Sequence, residues 1–280
     1  MIERAGNALR VGARSPGTKV SRLALGLAYR GGAYCGWQRQ TNDDTVQARV
    51  EQALSQFADV PITVTCAGRT DTGVHAINQV IHVDAPVERE PVSWVRGTNR
   101  YLPADVAIQW CLPVDDGFHA RFGATGRRYS YLLLESPVRP ALEAGRVGWT
   151  FRALDGDAMQ QAAQMLVGEH DFSAFRSSQC QAASPIKQMR SIDISRRGAY
   201  WRIDFHASAF LHHMVRNIVG CLLAVGTGKR PVSWMAEVLV ERDRGRAAPT
   251  FSPDGLYFVG PDYDPRYAIP TRPPASDWLP

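Results

Sequence analysis

The strongest constraint on the fold is the order in which two hydrophobic periods follow each other. Arg22 to Arg30 alternates, with Leu23, Leu25, Leu27 and Tyr29 on one side, which is the period of a strand with one buried face. Thr45 then stands as an N-cap before Val46, Val50, Leu54 and Phe57, which share one helical face. Short β-type runs near 62–66 and 78–84 follow. A helix is expected from Pro91 to Tyr101, with proline in its first turn, and a strand from Ala104 to Pro113. The order is β-α-β-β-α-β, a ferredoxin-like plan. The second half repeats it. Arg127 to Glu135 is a strand, and Asp155 to Val167 a helix with Met159, Ala162, Ala163 and Leu166 inward. A hairpin over 186–196 and 200–207 turns at Arg197-Gly198. Helices over Leu211 to Val225 and Val232 to Glu241 precede a short strand, Leu256 to Val259. These elements predict an α+β fold of two ferredoxin-like (RRM-like) halves, 22–115 and 116–260, whose mainly antiparallel sheets join edge to edge around a central cleft. A flexible arm, 1–21, precedes them, and a Pro-rich tail, 261–280, is expected to add no regular structure.

Composition narrows the setting. The chain has 280 residues, a formal net charge of +5 and a sequence pI near 9.1, a balance that suits a polyanionic partner. Of 32 basic residues only Lys19, Lys187 and Lys229 are lysines; arginine grips phosphate with two points and stacks on bases, although genomic base composition alone produces the same ratio. Cys35, Cys66, Cys111, Cys180 and Cys221 are widely spaced, odd in number and contain no C-x-x-C pair. That pattern fits neither a disulfide framework nor a zinc site, and it points to a reducing cytoplasm. The N-terminal region has no apolar core of a signal peptide, and the longest apolar run, Ile218 to Val225, is too short to span a bilayer.

The chemistry centres on Cys66-Ala67-Gly68-Arg69-Thr70-Asp71-Thr72-Gly73-Val74-His75-Ala76, between two β-type runs. Two glycines and small polar residues make this a loop. Asp71 lies two residues after Arg69, and an opposite charge nearby favours the ionised carboxylate, which serves as nucleophile or base. Residue types alone equally describe a turn in which Asp71 bonds to backbone. Further on, Arg127, Tyr129 and Tyr131 share one strand face, with an aromatic ring available for stacking on a base or for the core. Phe118-His119-Ala120-Arg121-Phe122 interleaves rings with cations, as RNA-binding segments do; Phe118 and Phe122 also read as core. Arg216 is a charge among Met214, Val215, Ile218 and Val219 and needs a partner such as Asp71.

With Gly36-Trp37-Gln38-Arg39-Gln40, Gly168-Glu169-His170-Asp171-Phe172 and Phe210 to Gly220, these motifs occur in an order that resembles the tRNA pseudouridine synthase A family over Leu23 to Tyr267. Thr72 stands where that family most often carries alanine, a small-for-small departure. The resemblance implies isomerisation of uridine to pseudouridine at positions 38, 39 and 40 of the tRNA anticodon arm, without metal or any small-molecule cofactor. It implies a homodimer around an RNA-binding cleft. Asp71 takes the place of the nucleophile, Tyr129 and Arg216 contact substrate and nucleophile, and Arg69 fills the space left by an extruded nucleotide. Phe118, His119, Ala120, Arg121 and Phe122, and the loop Gln179-Cys180-Gln181, correspond to stretches that touch tRNA. Arg30, Arg89 and Arg139 are further candidate phosphate contacts.

Other chemistries have little support. His212-His213 invites a metal, but neighbouring positions on a helix point about a hundred degrees apart, and no other ligand-spaced cluster exists, so no metal is expected. Gly226-Thr227-Gly228-Lys229 stops a helix and is not a phosphate-cradling loop. A catalytically silent RNA binder, a hydrolase using Asp71 and a synthase with another RNA target remain open. A hydrolase would want a second placed carboxylate, and none is evident.

Overall fold

The computed structural model describes residues 21–271. The elements in chain order are β1 (Ser21–Tyr29), α1 (Val46–Ala58), β2 (Thr65–Cys66), β3 (His75–Ala85), α2 (Pro91–Asn99), β4 (Val106–Pro113), β5 (Gly126–Glu135), β6 (Gly148–Thr150), α3 (Gly156–Gln164), β7 (Gly168–Asp171), β8 (Ile186–Arg197), β9 (Tyr200–Ala207), α4 (Met214–Gly226), α5 (Trp234–Glu241) and β10 (Leu256–Asp262). The fold is α+β. Its strands form one open sheet in the order β4-β1-β3-β10-β5-β9-β8-β7, with β2 paired to β3 and β6 to β5.

The pairing is antiparallel except at two places, β10 with β3 and β5 with β6. The β3–β10 contact is a narrow seam. Only Tyr257↔His75 and Phe258↔Ala76 are in register there, whereas β10 pairs with β5 from Leu256↔Tyr131 to Asp262↔Gly126. Two apolar cores flank the seam. One contains Leu25, Leu27, Val50, Leu54, Trp94 and Phe118. The other contains Tyr131, Met159, Phe172, Phe205, Ile218 and Met235. The Tyr129 ring packs against both.

Local signals act as the sequence predicts at several ends. The Thr45 hydroxyl accepts from the Ala48 amide, and α1 stops where Asp59 takes the left-handed conformation at φ 58°. Asp155 caps α3 by accepting from the Ala158 amide at 2.9 Å. The β8–β9 hairpin turns at Gly198, whose φ is +62°.

Four expectations need correction. Strand β2 is two residues, not the run 62–66, because Val64 gives its amide to the buried Glu51 carboxylate instead of a strand partner. Helix α4 begins at Met214 rather than Leu211, because His213 sits at φ +63° and cannot continue a right-handed helix backwards. Strands β6 and β7 carry no sequence signal; each is too short to display a period. Finally, the start of the Pro-rich tail is ordered. β10 continues through a bulge at Gly260 to Asp262, the Tyr263 hydroxyl donates to the Ala120 carbonyl at 2.6 Å, and the Asn78 amide donates to Pro270. Residues 1–20 of the expected arm, and 272–280 of the tail, lie outside the described residues, while Ser21 already opens β1.

Candidate active site

The Asp71 loop joins β2 to β3 and ends at the seam, so its carboxylate stands where the two cores meet. Its backbone is held from behind. The Trp37 amide donates to the Thr70 carbonyl at 3.0 Å, and Val74 turns back to the Asp71 carbonyl at 3.1 Å. Gly36, at φ +83°, comes so close that a Cβ there would lie 2.7 Å from the Thr70 oxygen. That close approach gives the Gly36-Trp37-Gln38-Arg39-Gln40 segment a physical purpose. Trp37 is fully buried, and Arg39 pairs with the buried Glu51 at 2.6 Å. Side chains complete the brace. Tyr29 and Thr70 share a hydrogen bond of 2.8 Å. The Gln79 amide bonds both ways to the Gly68 backbone. His75 Nδ1 accepts from the Gly31 amide, which leaves Nε2–H to donate to the Asp254 carbonyl; burial holds this imidazole's pKa below its ordinary value.

Three cationic or protonatable groups face the Asp71 carboxylate. His212 Nε2 lies 3.2 Å from Oδ1, His213 Nε2 3.5 Å from Oδ2, and Arg216 Nη1 3.4 Å from Oδ2. Arg216 is fixed in turn by its Nε, which donates to the Phe251 carbonyl at 2.9 Å. Burial alone would raise the Asp71 pKa. The His212 hydrogen bond and the charges of His213, His212 and Arg216 outweigh it and hold the carboxyl below its ordinary value. Asp71 is therefore an ionised, partly desolvated carboxylate at neutral pH.

The side chains around Tyr129 are aromatic. Tyr129, on β5, stands edge-on to Phe210 and tilted over Phe258, with both ring centroids at 5.0 Å. Burial raises its hydroxyl pKa, and the Asp71 charge raises it further, so the phenol stays protonated.

The other sequence candidates divide by exposure. Arg69, Arg121, Arg139, Gln179 and Gln181 are exposed, and Phe122 keeps 77 % of its surface in water. Phe118 and Ala120 are buried, which rules out direct RNA contact at those two positions. Phe118 instead packs against His82, Tyr263 and Tyr267. The outward part of that segment is a small cluster, with the His119 and Phe122 rings 4.5 Å apart and Arg121 over Phe122 at 5.5 Å. Cys180 is turned inward, its sulfur accepting the His212 amide at 3.4 Å. Arg89 lies 4.6 Å over Phe57 of α1, on the helical layer. Arg30 lines a cavity of about 750 Å³ with His75, Asp105, Arg146 and Tyr257.

Sequence reasoning missed the part played by Arg127. Its guanidinium donates to the carbonyls of Ala67, Arg121, Ala124 and Ser208, at 2.7–3.2 Å, so one side chain ties the Asp71 loop to two others. It also placed the two histidines on a helix. The pair precedes α4, and the left-handed His213 brings both rings, 4.0 Å apart, onto one carboxylate. No local signal short of the positive φ would have revealed this.

A carboxylate held ionised at the seam of one open sheet, near a half-buried tyrosine, is the kind of site on which an enzyme of the α+β class is built. Comparison with known proteins then gives the family. A family model described as tRNA pseudouridine synthase matches residues 27–123 and 162–264. The chain is 69 % identical over 259 residues to a tRNA pseudouridine synthase A of Methylibium petroleiphilum, 61 % over 263 to that of Polaromonas naphthalenivorans and 57 % over 277 to that of Paracidovorax citrulli. Each comparison covers 92 % of this chain and the whole relative. The chain belongs to the tRNA pseudouridine synthase family, a family of isomerases.

Proposed function

We propose that the protein converts uridines 38, 39 and 40 of the tRNA anticodon arm to pseudouridine, with Asp71 as nucleophile. The observation that carries this is the carboxylate's setting: ionised by its neighbours, and partly shielded from water but still in reach of it. The reaction breaks the N1–C1′ bond, turns the uracil while it is held, and joins C5 to C1′, so no atom is gained and no electron acceptor is needed. Asp71 contributes by adding to C1′ or to C6, or by taking the C2′ proton. The base must leave its stack for any of these. Arg69, exposed on the same loop, is suited to occupy the gap. Tyr129 offers a ring for stacking and a protonated hydroxyl beside the reacting base. Arg216, anchored on Phe251, keeps the carboxylate charged and aimed.

The cleft's exposed cations, Arg69 and Arg121 foremost, fit a polyanion, and the aromatic patch His119–Phe122 fits an unstacked base. Among the described residues no helix is long and apolar enough to cross a membrane. From the family resemblance alone we propose a cytoplasmic homodimer with one tRNA reaching across both subunits.

The test uses a tRNA transcript tritiated at C5 of uridine, without added nucleotide or metal. The wild type should release tritium and no free uracil. Asp71→Asn should lose at least about 1,000-fold in rate, roughly 4 kcal/mol of transition-state stabilisation, while still binding tRNA. Binding without release by the wild type, at every tRNA tried, would leave an RNA-binding protein rather than an enzyme. Equal release by both proteins would take the nucleophile's role from Asp71.

A further inference from the structure

His212 and His213 do more than flank the carboxylate. One ring nitrogen of each and an Asp71 oxygen all lie within 4.8 Å of one another. A tetrahedral zinc ion with bonds of about 2.0–2.1 Å holds its ligands about 3.3 Å apart. His212 Nε2 stands 3.2 Å from Oδ1 and His213 Nε2 3.5 Å from Oδ2, so each ring already has about that separation from one of the two carboxylate oxygens, and a turn of the carboxylate offers one oxygen to both. The left-handed His213 fixes this approach through the backbone, so the rings need only small side-chain adjustments to close on an ion. All three groups are partly open to solvent, with 34, 28 and 20 % of their side-chain surfaces exposed. An ion can therefore enter from the cleft and keep a water in its fourth position.

We propose that Asp71, His212 and His213 form a binding site for an imidazole-seeking divalent ion such as Zn²⁺, and that the ion switches the enzyme off by occupying its nucleophile. The second half of this statement rests on the reading of Asp71 given above; the first does not. Two imidazoles and one carboxylate suit Zn²⁺ or Cu²⁺ and offer little to Mg²⁺ or Ca²⁺, which take oxygen ligands. Magnesium, which accompanies tRNA, is thus not the ion expected there. Arg216 limits the affinity. Its guanidinium, 3.4 Å from Oδ2, repels a dication on the same carboxylate, so the ion binds reversibly and not as a structural centre. Bound tRNA and bound metal exclude each other, because both require the same carboxylate.

The experiment titrates the full-length protein with Co²⁺, a coloured stand-in for zinc, and follows the visible absorption of low-coordinate cobalt. One equivalent should develop the band, and Zn²⁺ should bleach it. His213→Gln, His212→Gln and Asp71→Asn should each weaken binding at least tenfold, with circular dichroism confirming that they are folded. Arg216→Gln should bind several-fold more tightly, an outcome no misfolded variant would give. Cys180→Ser should leave the band unchanged. In the tritium assay, Zn²⁺ should inhibit the wild type reversibly, with chelator restoring the rate. His213→Gln should need at least tenfold more zinc for half inhibition, measured against its own zinc-free rate. Absence of the band, or its survival in all three ligand variants, or its loss in Cys180→Ser alone, overturns the site. A band with the expected variant pattern but no inhibition of an active enzyme keeps the site and overturns the switch. A band in a protein that modifies no tRNA would instead sink the synthase reading while the metal site stands.

Discussion

The role proposed for Asp71 belongs to its side chain, but its position is decided by a residue that has none. Gly36 adopts φ +83°, a conformation that costs an L-residue about 1 kcal/mol or more, and its open face lies against the Thr70 oxygen and the Asp71 backbone. A methyl group at 2.7 Å from a carbonyl oxygen cannot be accommodated unless the Asp71 loop moves. Gly36→Ala should therefore destabilise the protein by about 2–3 kcal/mol, a fall of roughly 4–12 °C in melting temperature for a chain this size. It should also lower kcat more than tRNA affinity, because the phosphate-binding cations stay in place while the carboxylate shifts. Thermal denaturation and single-turnover tritium release measure the two effects. An unchanged kcat in a folded variant would mean that the loop takes its shape from the β2–β3 connection alone. The neighbouring bond between Tyr29 and Thr70 is a gentler probe. Thr70→Val takes one of two hydrogen-bond partners from the buried Tyr29 hydroxyl, leaving Gln79, and should cost about 1 kcal/mol; the Tyr29→Phe double mutant then measures the coupling in a double-mutant cycle.

At the scale of elements, β10 is the piece that makes one sheet, and its far end is held by charge. Asp262 accepts from Arg128 of β5 at 2.9 Å and faces His206 Nε2 of β9 at 2.6 Å and Arg190 of β8 at 3.5 Å. His206 Nε2 also lies 2.9 Å from Arg190 Nη1. That nitrogen either accepts from Arg190 or, protonated, donates to Asp262; it cannot do both. Burial, then the Arg128 charge, lower the His206 pKa in spite of Asp262, so the ring folds neutral. Burial opposes the Asp262 carboxylate, but its Arg128 and His206 partners lower its pKa overall. Both groups act in one direction on stability. A histidine with a depressed folded pKa binds more protons when unfolded, so stability falls as pH drops below its unfolded value near 6.5. An aspartate with a depressed folded pKa contributes stability above its unfolded value near 4, and that is lost as pH falls through the folded one. His206→Gln should flatten the melting-temperature profile between about pH 7 and 5 and blunt the acid limb only in part, since Arg128 still holds the Asp262 carboxylate, and Asp262→Asn should cost about 2 kcal/mol at neutral pH and blunt the acid limb more. A His206→Gln profile as steep as the wild type's would assign the slope to other groups. This end of β10 also marks how far the sequence could be read. Strand β9 was legible because it buries one face in strict alternation, whereas β1 and β5 bury both faces over 23–27 and 130–134 and were legible from the large apolar side chains that recur along them. The helix faces of α1 and α3 were legible for the same reason. The extension to Asp262 was not, because it crosses a bulge at Gly260 and a proline, and its partners are charges far away in the sequence. The start of α4 was misplaced because Leu211-His212-His213 continues the apolar pattern of the helix while the backbone has already turned left-handed.

For the whole molecule, the question is how a net charge of only +5 holds a tRNA. Much of the positive charge is already committed. Arg22, Arg49, Arg128, Arg196, Arg202 and Arg246 are paired with carboxylates, and Arg127 is spent on backbone carbonyls. Arg69, Arg121 and Arg139 are exposed and make no ion pair among the described residues, so a few cations in chosen places must do the electrostatic work. The segment Phe118 to Phe122 offers a comparison within one motif, since its two phenylalanines face opposite ways. Removing one cation from a phosphate reduces the slope of log K against log salt by about 1. Arg121→Ala should weaken tRNA binding and flatten that slope by this amount, with little change in melting temperature. Phe122→Ala should weaken binding by about 1–3 kcal/mol if a base stacks there, at an unchanged salt slope, because stacking releases no counterion. Phe118→Ala should do neither directly. It removes a fully buried ring that touches Tyr263 and Tyr267 and should cost about 3–5 kcal/mol of stability. Filter binding at several salt concentrations, beside thermal melts of the three variants, separates these effects. If Arg121→Ala left the slope unchanged, the phosphates would be held elsewhere, and Arg69 and Arg139 would be the next positions to test.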